Sequence, residues 1–144
     1  GGNRRSLDLP YSTGHFGWFG ETGKVLSTMR KPFGSIVVAG EDDPCHVVAK
    51  GGHFWHAAGT PDGELIVTDT NWPNMGLMLI NTKTGLWAPL CQPGSSCGHP
   101  QWTHPHPLFS PDGKYVVYNS DRTGIGQVYA VEVPESIRTQ LLQG

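Results

Sequence analysis

The 144-residue chain carries seven histidines, and six of them, His15, His53, His56, His99, His104 and His106, fall a few residues ahead of turn-forming segments. Imidazole is both a common metal ligand and a base whose ordinary pKa lies near neutrality, so such a set could hold a cation, move a proton, or do both. The densest group is Gln101-Trp102-Thr103-His104-Pro105-His106-Pro107. Side chains alternate along a strand, which would put His104 and His106 on one face about 7 Å apart, a span two ligands of one ion can bridge. The two prolines remove ladder donors and stiffen the segment, as suits an edge strand. Gln101 offers a neutral carbonyl oxygen. His56 stands five residues ahead of Pro61 as His106 stands five ahead of Pro111, and could supply a third imidazole. Three nitrogens and one oxygen, with positions left open, suit Mn, Fe, Ni or Zn acting as a Lewis acid. An H-x-H pair can equally bond backbone or face water, so spacing alone leaves both readings open.

Residues this far apart in sequence need a repeating scaffold to bring them together. Thr60-Pro61-Asp62-Gly63-Glu64-Leu65-Ile66-Val67 returns as Ser110-Pro111-Asp112-Gly113-Lys114-Tyr115-Val116-Val117, and more weakly as Gly20-Glu21-Thr22-Gly23-Lys24-Val25-Leu26-Ser27. Each copy is a turn followed by a β-rich run, the signature of a hairpin. Further β-like runs follow at Ser35 to Ala39, His46 to Ala49, Gly76 to Ile80, Leu86 to Leu90 and Gln127 to Val133, the last with strict alternation. Units of about 40 to 50 residues with three or four antiparallel strands match the period of a β-propeller blade. The expected fold is therefore all-β: a β-propeller of about three antiparallel four-stranded blades, near 10–51, 52–97 and 98–134, with a short amphipathic tail at 135–144. A β-sandwich with similar turns is the competing architecture. In a propeller the innermost strands line a central channel, where histidines from separate blades converge. A closed ring takes about four to eight blades, so three leave open sheet edges. The chain is then the C-terminal part of a longer propeller, which the absence of an initiator Met favours, or it completes a ring by self-association or by pairing with missing blades.

Composition narrows the partners. Apolar residues make up 37 % and charged residues 15 %, with 20 Gly and 12 Pro, which argues against a helix bundle. A net charge of -2 without a basic run makes nucleic acid and anionic membrane surfaces poor partners. No apolar run approaches a membrane span and no signal-peptide core opens the chain, so a soluble protein is expected. Cys45, Cys91 and Cys97 are an odd number, which excludes a complete disulfide framework and fits a reducing, cytoplasmic setting. Cys91 and Cys97 could still bridge, or join histidines around zinc, but neither has C-x-x-C spacing.

The stretch from Gln101 to Pro111, with Tyr118-Asn119-Ser120-Asp121 and Val131-Glu132-Val133-Pro134-Glu135-Ser136, resembles the C-terminal blade of the oligogalacturonate lyases. The resemblance is tight over Gln101 to Ser136 and loose over the rest of the chain. It implies the C-terminal part of a seven-bladed propeller that cleaves pectin-derived oligogalacturonides by β-elimination, giving 4,5-unsaturated products with Mn²⁺ held by three His and one Gln. The family's Q-x-x-H-x-H pattern falls on Gln101, His104 and His106, and its third metal histidine on His56, six residues before Asp62-Gly63. His53 competes for that place, because Gly52-His53-Phe54 resembles Gly14-His15-Phe16. The family's catalytic-base histidine falls on His15, with an offset of one residue from the repeat turn. The substrate partner so implied is a di- or trigalacturonate, and any Arg or Lys contributed by upstream blades lies outside this sequence.

Other residues read as structural. Arg4, Arg5, Arg30, Arg122 and Arg138 read as solvated surface, and Asp62, Asp69, Asp112 and Asp121 as turn residues. Trp18, Trp55, Trp72, Trp87 and Trp102 read as packing between blades, although Trp55 and Trp102 flank the histidines. The alternative function is a non-catalytic propeller that binds a protein or glycan, since fold alone does not decide activity. Such a scaffold has no need for His56, Gln101, His104 and His106 to coincide.

Overall fold

Within each sheet every strand pairs antiparallel with the one before it, so the chain folds as successive up-and-down sheets. The computed structural model describes residues 2–7, 9, 13–29, 34–71, 73–98 and 101–143. The first sheet runs β1 (Thr13–Trp18), β2 (Val25–Met29), β3 (Ser35–Ala39) and β4 (His46–Ala49). The second runs β5 (Phe54–Gly59), β6 (Leu65–Thr70), β7 (Leu77–Asn81) and β8 (Trp87–Cys91). The third contains β9 (Leu108–Phe109), β10 (Tyr115–Ser120) and β11 (Gln127–Glu132), three strands among the described residues where four were expected. After β11 the chain reaches Pro134, whose missing N–H suits a helix start, and continues as α1 (Glu135–Gln143). The leading strands lie side by side, β1 against β5 and β5 against β9. This arrangement is part of a β-propeller.

Burial explains why the strands differ in composition. The middle sheet is covered on both faces, so every residue of β6 and β7 is buried and neither strand alternates. One core, built on Leu26, Ile36, Val38, Phe54, Ile66 and Ile80, joins the first sheet to the second. Another, built on Leu65, Val67, Leu77, Leu79, Val116 and Tyr118, joins the second to the third and takes in Leu141 of α1. Burying each Leu, Ile or Val fully contributes about 1.5–3 kcal/mol, so these two seams hold the leading strands in register. Asn81 donates its side-chain N–H to the Leu141 carbonyl at 2.6 Å, tying α1 to the end of β7. In β11, where one face meets solvent, Tyr129 and Val131 are partly buried and Val128 is exposed.

The repeated turns share one hydrogen-bond pattern. Thr60 Oγ1 donates to Asp62 Oδ1 at 2.6 Å and the Glu64 N–H donates to the same oxygen at 3.0 Å; Ser110, Asp112 and Lys114 repeat this at 2.7 and 3.1 Å. These bonds, the hydroxyl first, hold both carboxyls below the usual carboxylate range. Because the folded pKa lies below the unfolded one, the stabilisation is complete above about pH 4 and is lost as pH falls through the lower folded value. Thr60 is buried and its Oγ1 also accepts the Leu65 N–H at 3.1 Å. Thr60→Val strands that N–H and is expected to cost about 1–3 kcal/mol in urea unfolding at neutral pH. Ser110→Ala, at the half-buried counterpart, is expected to cost less, and equal losses would refute the assignment.

The three cysteines are free thiols. Cys91 lies beside Tyr118, and the Cys97 sulfur accepts from Asn74 Nδ2 at 3.5 Å. Among the described residues no helix is long and apolar enough to cross a membrane.

Candidate metal centre

Two leading strands carry the same irregularity, and it sits at a histidine each time. In β1, Thr13 pairs with Met29 but Phe16 pairs with Ser27, so Gly14 and His15 form a bulge. In β5, Phe54 pairs with Thr70 but Ala57 pairs with Thr68, so Trp55 and His56 form the corresponding one. A bulge releases backbone groups from the ladder and re-aims a side chain.

The turns that follow settle which residues correspond. Phe19 N–H bonds the Lys24 carbonyl, Thr60 N–H that of Leu65, and Ser110 N–H that of Tyr115. Phe19, Thr60 and Ser110 are therefore equivalent, and His15, His56 and His106 each stand four residues ahead of them. Read by sequence, Gly20 aligned with Thr60 and left His15 one residue out; the bonds that close the first turn begin at Phe19 and remove that offset.

The three equivalent residues meet because β1 lies against β5, and β5 against β9, which His106 precedes by two residues. The His15 and His56 ring centroids are 4.2 Å apart, and those of His56 and His106 are 3.6 Å apart. His104 lies 5.5 Å from His56 and 6.1 Å from His106. One nitrogen from each of His56, His104 and His106 lies within 4.8 Å of the other two, a spacing that a single ion can bridge. His56 and His104 are buried, while His106 is exposed at one side.

His104 and His106 do not reach this arrangement as neighbours on one strand, as alternation had suggested. Gln101–Thr103 forms a short 3-10 turn, the His104 N–H closes it onto the Gln101 carbonyl at 3.0 Å, and β9 begins only at Leu108. Pro105 and Pro107 have no N–H to give a ladder, so this segment stays irregular, with the Pro105 carbonyl accepting from Asn119 N–H at 2.8 Å. His106 adopts a positive φ of 45°, unusual for a residue other than glycine.

Asp69 of β6, taken from sequence as merely structural, lies opposite the β5 bulge. Its Oδ1 accepts the His56 main-chain N–H at 2.7 Å, and its Oδ2 pairs with His56 Nδ1 at 2.8 Å. The same Oδ2 accepts the His106 main-chain N–H at 3.2 Å. Its signal in the sequence was an acidic residue just after the apolar run Leu65–Val67 of a β-rich segment, where a buried carboxylate is costly without partners. The other ring nitrogen of His56, Nε2, is buried and has no hydrogen-bond partner. That orphaned lone pair, set among imidazoles, fits a bound transition-metal cation. Partial burial, and then nearby His56, hold the His106 imidazole below its ordinary pKa, so it is neutral with a lone pair to offer at neutral pH.

A cleft of about 400 Å³ opens beside the histidines, lined by Gly14, His15, Phe16, His56, Ala57, His106, Pro107 and Leu108. His15 borders it from the first sheet and is not one of the three clustered nitrogens. Trp55 packs near His15 and His56, at centroid distances of 5.4 and 6.2 Å. Gln101 sits in the 3-10 turn with its side chain exposed. His53 does not join the cluster; it has a φ of 53° and lines, with His15, Trp55 and Asn71, a cavity that His56 and His106 do not line.

Other sequence assignments divide. Trp18 and Trp102 are 73 % and 74 % exposed, so neither packs as expected. Arg122 is held by the Gln92 and Pro93 carbonyls and lies 4.9 Å from the Tyr129 ring centroid, a structural rather than a freely solvated group. Asp121 accepts from the Ser96 N–H and hydroxyl. His99, Arg30 and Trp72 lie outside the described residues.

Fold and site together define part of a β-propeller with a three-histidine candidate metal centre at the edge of a cleft. No protein-family model matches the chain. The chain resembles oligogalacturonate lyase. The oligogalacturonate lyase of Dickeya dadantii is 38 % identical over 65 residues, 42 % of this chain and 17 % of that protein. The oligogalacturonide lyase of Pectobacterium atrosepticum is 40 % identical over 65 residues, again 42 % of this chain and 17 % of the relative. Among solved structures, the oligogalacturonate lyase of Vibrio parahaemolyticus has a TM-score of 0.71 at 28 % identity, covering 88 % of this chain and 37 % of that one. An oligogalacturonate lyase in complex with manganese has a TM-score of 0.76 at 26 % identity, covering 88 % and 36 %. TolB from Acinetobacter baumannii, 14 % identical with a TM-score of 0.70, shares the fold. The matched stretch is 17 % of the two curated relatives, and the chain covers little more than a third of the two lyase structures.

Proposed function

We propose that this chain carries the metal centre and the proton-abstracting base of an oligogalacturonate lyase, and that its substrate is a short oligogalacturonide. The observation that carries the reading is the cluster of His56, His104 and His106 within 4.8 Å, with the His56 lone pair buried and unpartnered. The names of the similar proteins support the substrate class, and the manganese complex supports Mn²⁺ as the ion.

His56, His104 and His106 would hold the cation, with Gln101, three residues before His104, as the proposed oxygen donor. None of the four donors brings a negative charge, so a divalent ion held there would keep its positive charge and would supply Lewis-acid neutralisation of a substrate carboxylate. His15 borders the cleft as the base, a role for which imidazole is the commonest side chain. It takes the C5 proton, which is acidified by the adjacent carboxylate. The C–H electron pair becomes the C4–C5 double bond, the C4–O4 bond breaks, and the leaving oxygen takes a proton from water. No pair of hydrolytic carboxylates is required.

The test combines elemental analysis of untagged protein with ultraviolet absorbance after adding digalacturonate. About one Mn²⁺ or similar ion per chain, with rising absorbance from the unsaturated product that chelator abolishes, is the expected result. Bound metal without product would refute the lyase reading and leave a metal-binding scaffold.

A further inference from the structure

The His56 imidazole can place its proton on either nitrogen, and only one choice leaves a ligand atom facing His104 and His106. Asp69 decides between them. Its Oδ2 faces Nδ1 at 2.8 Å and, as a carboxylate oxygen, can only accept, so a hydrogen bond between them requires the proton on Nδ1. A proton on Nε2 would instead be buried with no acceptor. The same carboxylate reaches two further groups. Oδ1 takes the main-chain N–H that the bulge frees at His56, and Oδ2 takes the N–H of His106, whose backbone has the unfavourable positive φ. Asp69 thus bonds to β5 in its own sheet and to the His104–His106 segment that leads into the next.

The position is special to the middle sheet. By the register that equates Phe19, Thr60 and Ser110, the residues matching Asp69 are Thr28 and Asn119. Thr28 donates its hydroxyl to the Trp55 carbonyl, and Asn119 donates its main-chain N–H to the Pro105 carbonyl. All three brace irregular backbone near the histidines, and Asp69 alone brings a pure acceptor to an imidazole.

We propose that Asp69 is a positioning residue that fixes the Nδ1–H tautomer of His56 and seats His106, so that one carboxylate organises ligands from two adjacent sheets. This rests on the metal-site part of the function proposed above and is independent of the substrate. Asp69→Asn is the sharpest test. An Asn can still accept the His56 main-chain N–H through Oδ1, but its Nδ2–H₂ then faces Nδ1, which must accept and shift its own proton to Nε2.

Two measurements read this. In nitrogen-15 correlation spectra of the chain before metal addition, His56 is expected to carry its proton on Nδ1, and on Nε2 in Asp69→Asn. In calorimetric titration with MnCl₂, the variant is expected to bind about 10- to 100-fold more weakly, as for the loss of an outer-shell partner. Unchanged Mn²⁺ affinity in a folded Asp69→Asn protein would overturn the proposal, as would an Nε2–H tautomer in the unmodified chain. The latter measurement decides even if the variant does not fold. Asp69-dependent metal binding in a chain that does not turn over digalacturonate would sink the lyase reading alone.

Discussion

His104→Ala is expected to eliminate stoichiometric Mn²⁺ binding and, with it, turnover of digalacturonate. His104 is buried, with its ring 5.5 Å from His56 and 6.1 Å from His106, and the three nitrogens lie within 4.8 Å of one another. Alanine removes one of the two buried imidazoles and leaves His56, the exposed His106 and the exposed Gln101 as donors. The loss of affinity should exceed the about 10- to 100-fold typical of an outer-shell partner. The measurement is metal content after dialysis, with calorimetric titration, on protein whose circular dichroism matches the unmodified chain. His46→Ala is the control: His46 is an exposed residue of β4 near Asp43, away from the cluster. Full metal content in His104→Ala would remove His104 from the ligand set.

His15→Ala is expected to show the opposite division: metal retained, turnover lost. His15 stands 4.2 Å from His56 between ring centroids and borders the cleft, but it is not among the three clustered nitrogens. A positioned general base contributes about 10²- to 10⁴-fold, so kcat should fall by that factor while Mn²⁺ affinity changes little. Its pH profile should change too, because the proton acceptor of the unmodified chain would be gone. A His15→Ala protein with unaltered kcat would end the base assignment. One that loses metal would move His15 into the ligand set.

Much of the architecture could be read before any coordinates. The Pro-Asp-Gly turns at Asp62 and Asp112 recur because a carboxylate accepting from the hydroxyl two residues back and the N–H two residues on closes a turn locally. Local chemistry of this kind leaves a sequence signature, and its spacing pointed to successive antiparallel sheets. His104 and His106 were legible for the same reason, since two histidines, two prolines and a glutamine within seven residues form a local motif. Their conformation was not. The alternation rule assumes a strand, and the prolines that marked the segment also keep it out of the ladder.

From the sequence by itself came the all-β repeat, its turns, and histidines gathered ahead of them. Only the tertiary structure decided which histidines meet. Bulges add a residue to β1 and β5 without changing the composition, and the first turn starts at Phe19, so the equivalence of His15, His56 and His106 appears only in the hydrogen-bond register. Thus His53, closer to His15 by its neighbours in sequence, shares a cavity with His15 but stays out of the three-histidine cluster. Asp69 was hidden for a related reason. Its partners stand 13 and 37 residues away, and an aspartate in an apolar strand declares its role only when the groups that compensate its burial come within hydrogen-bond reach.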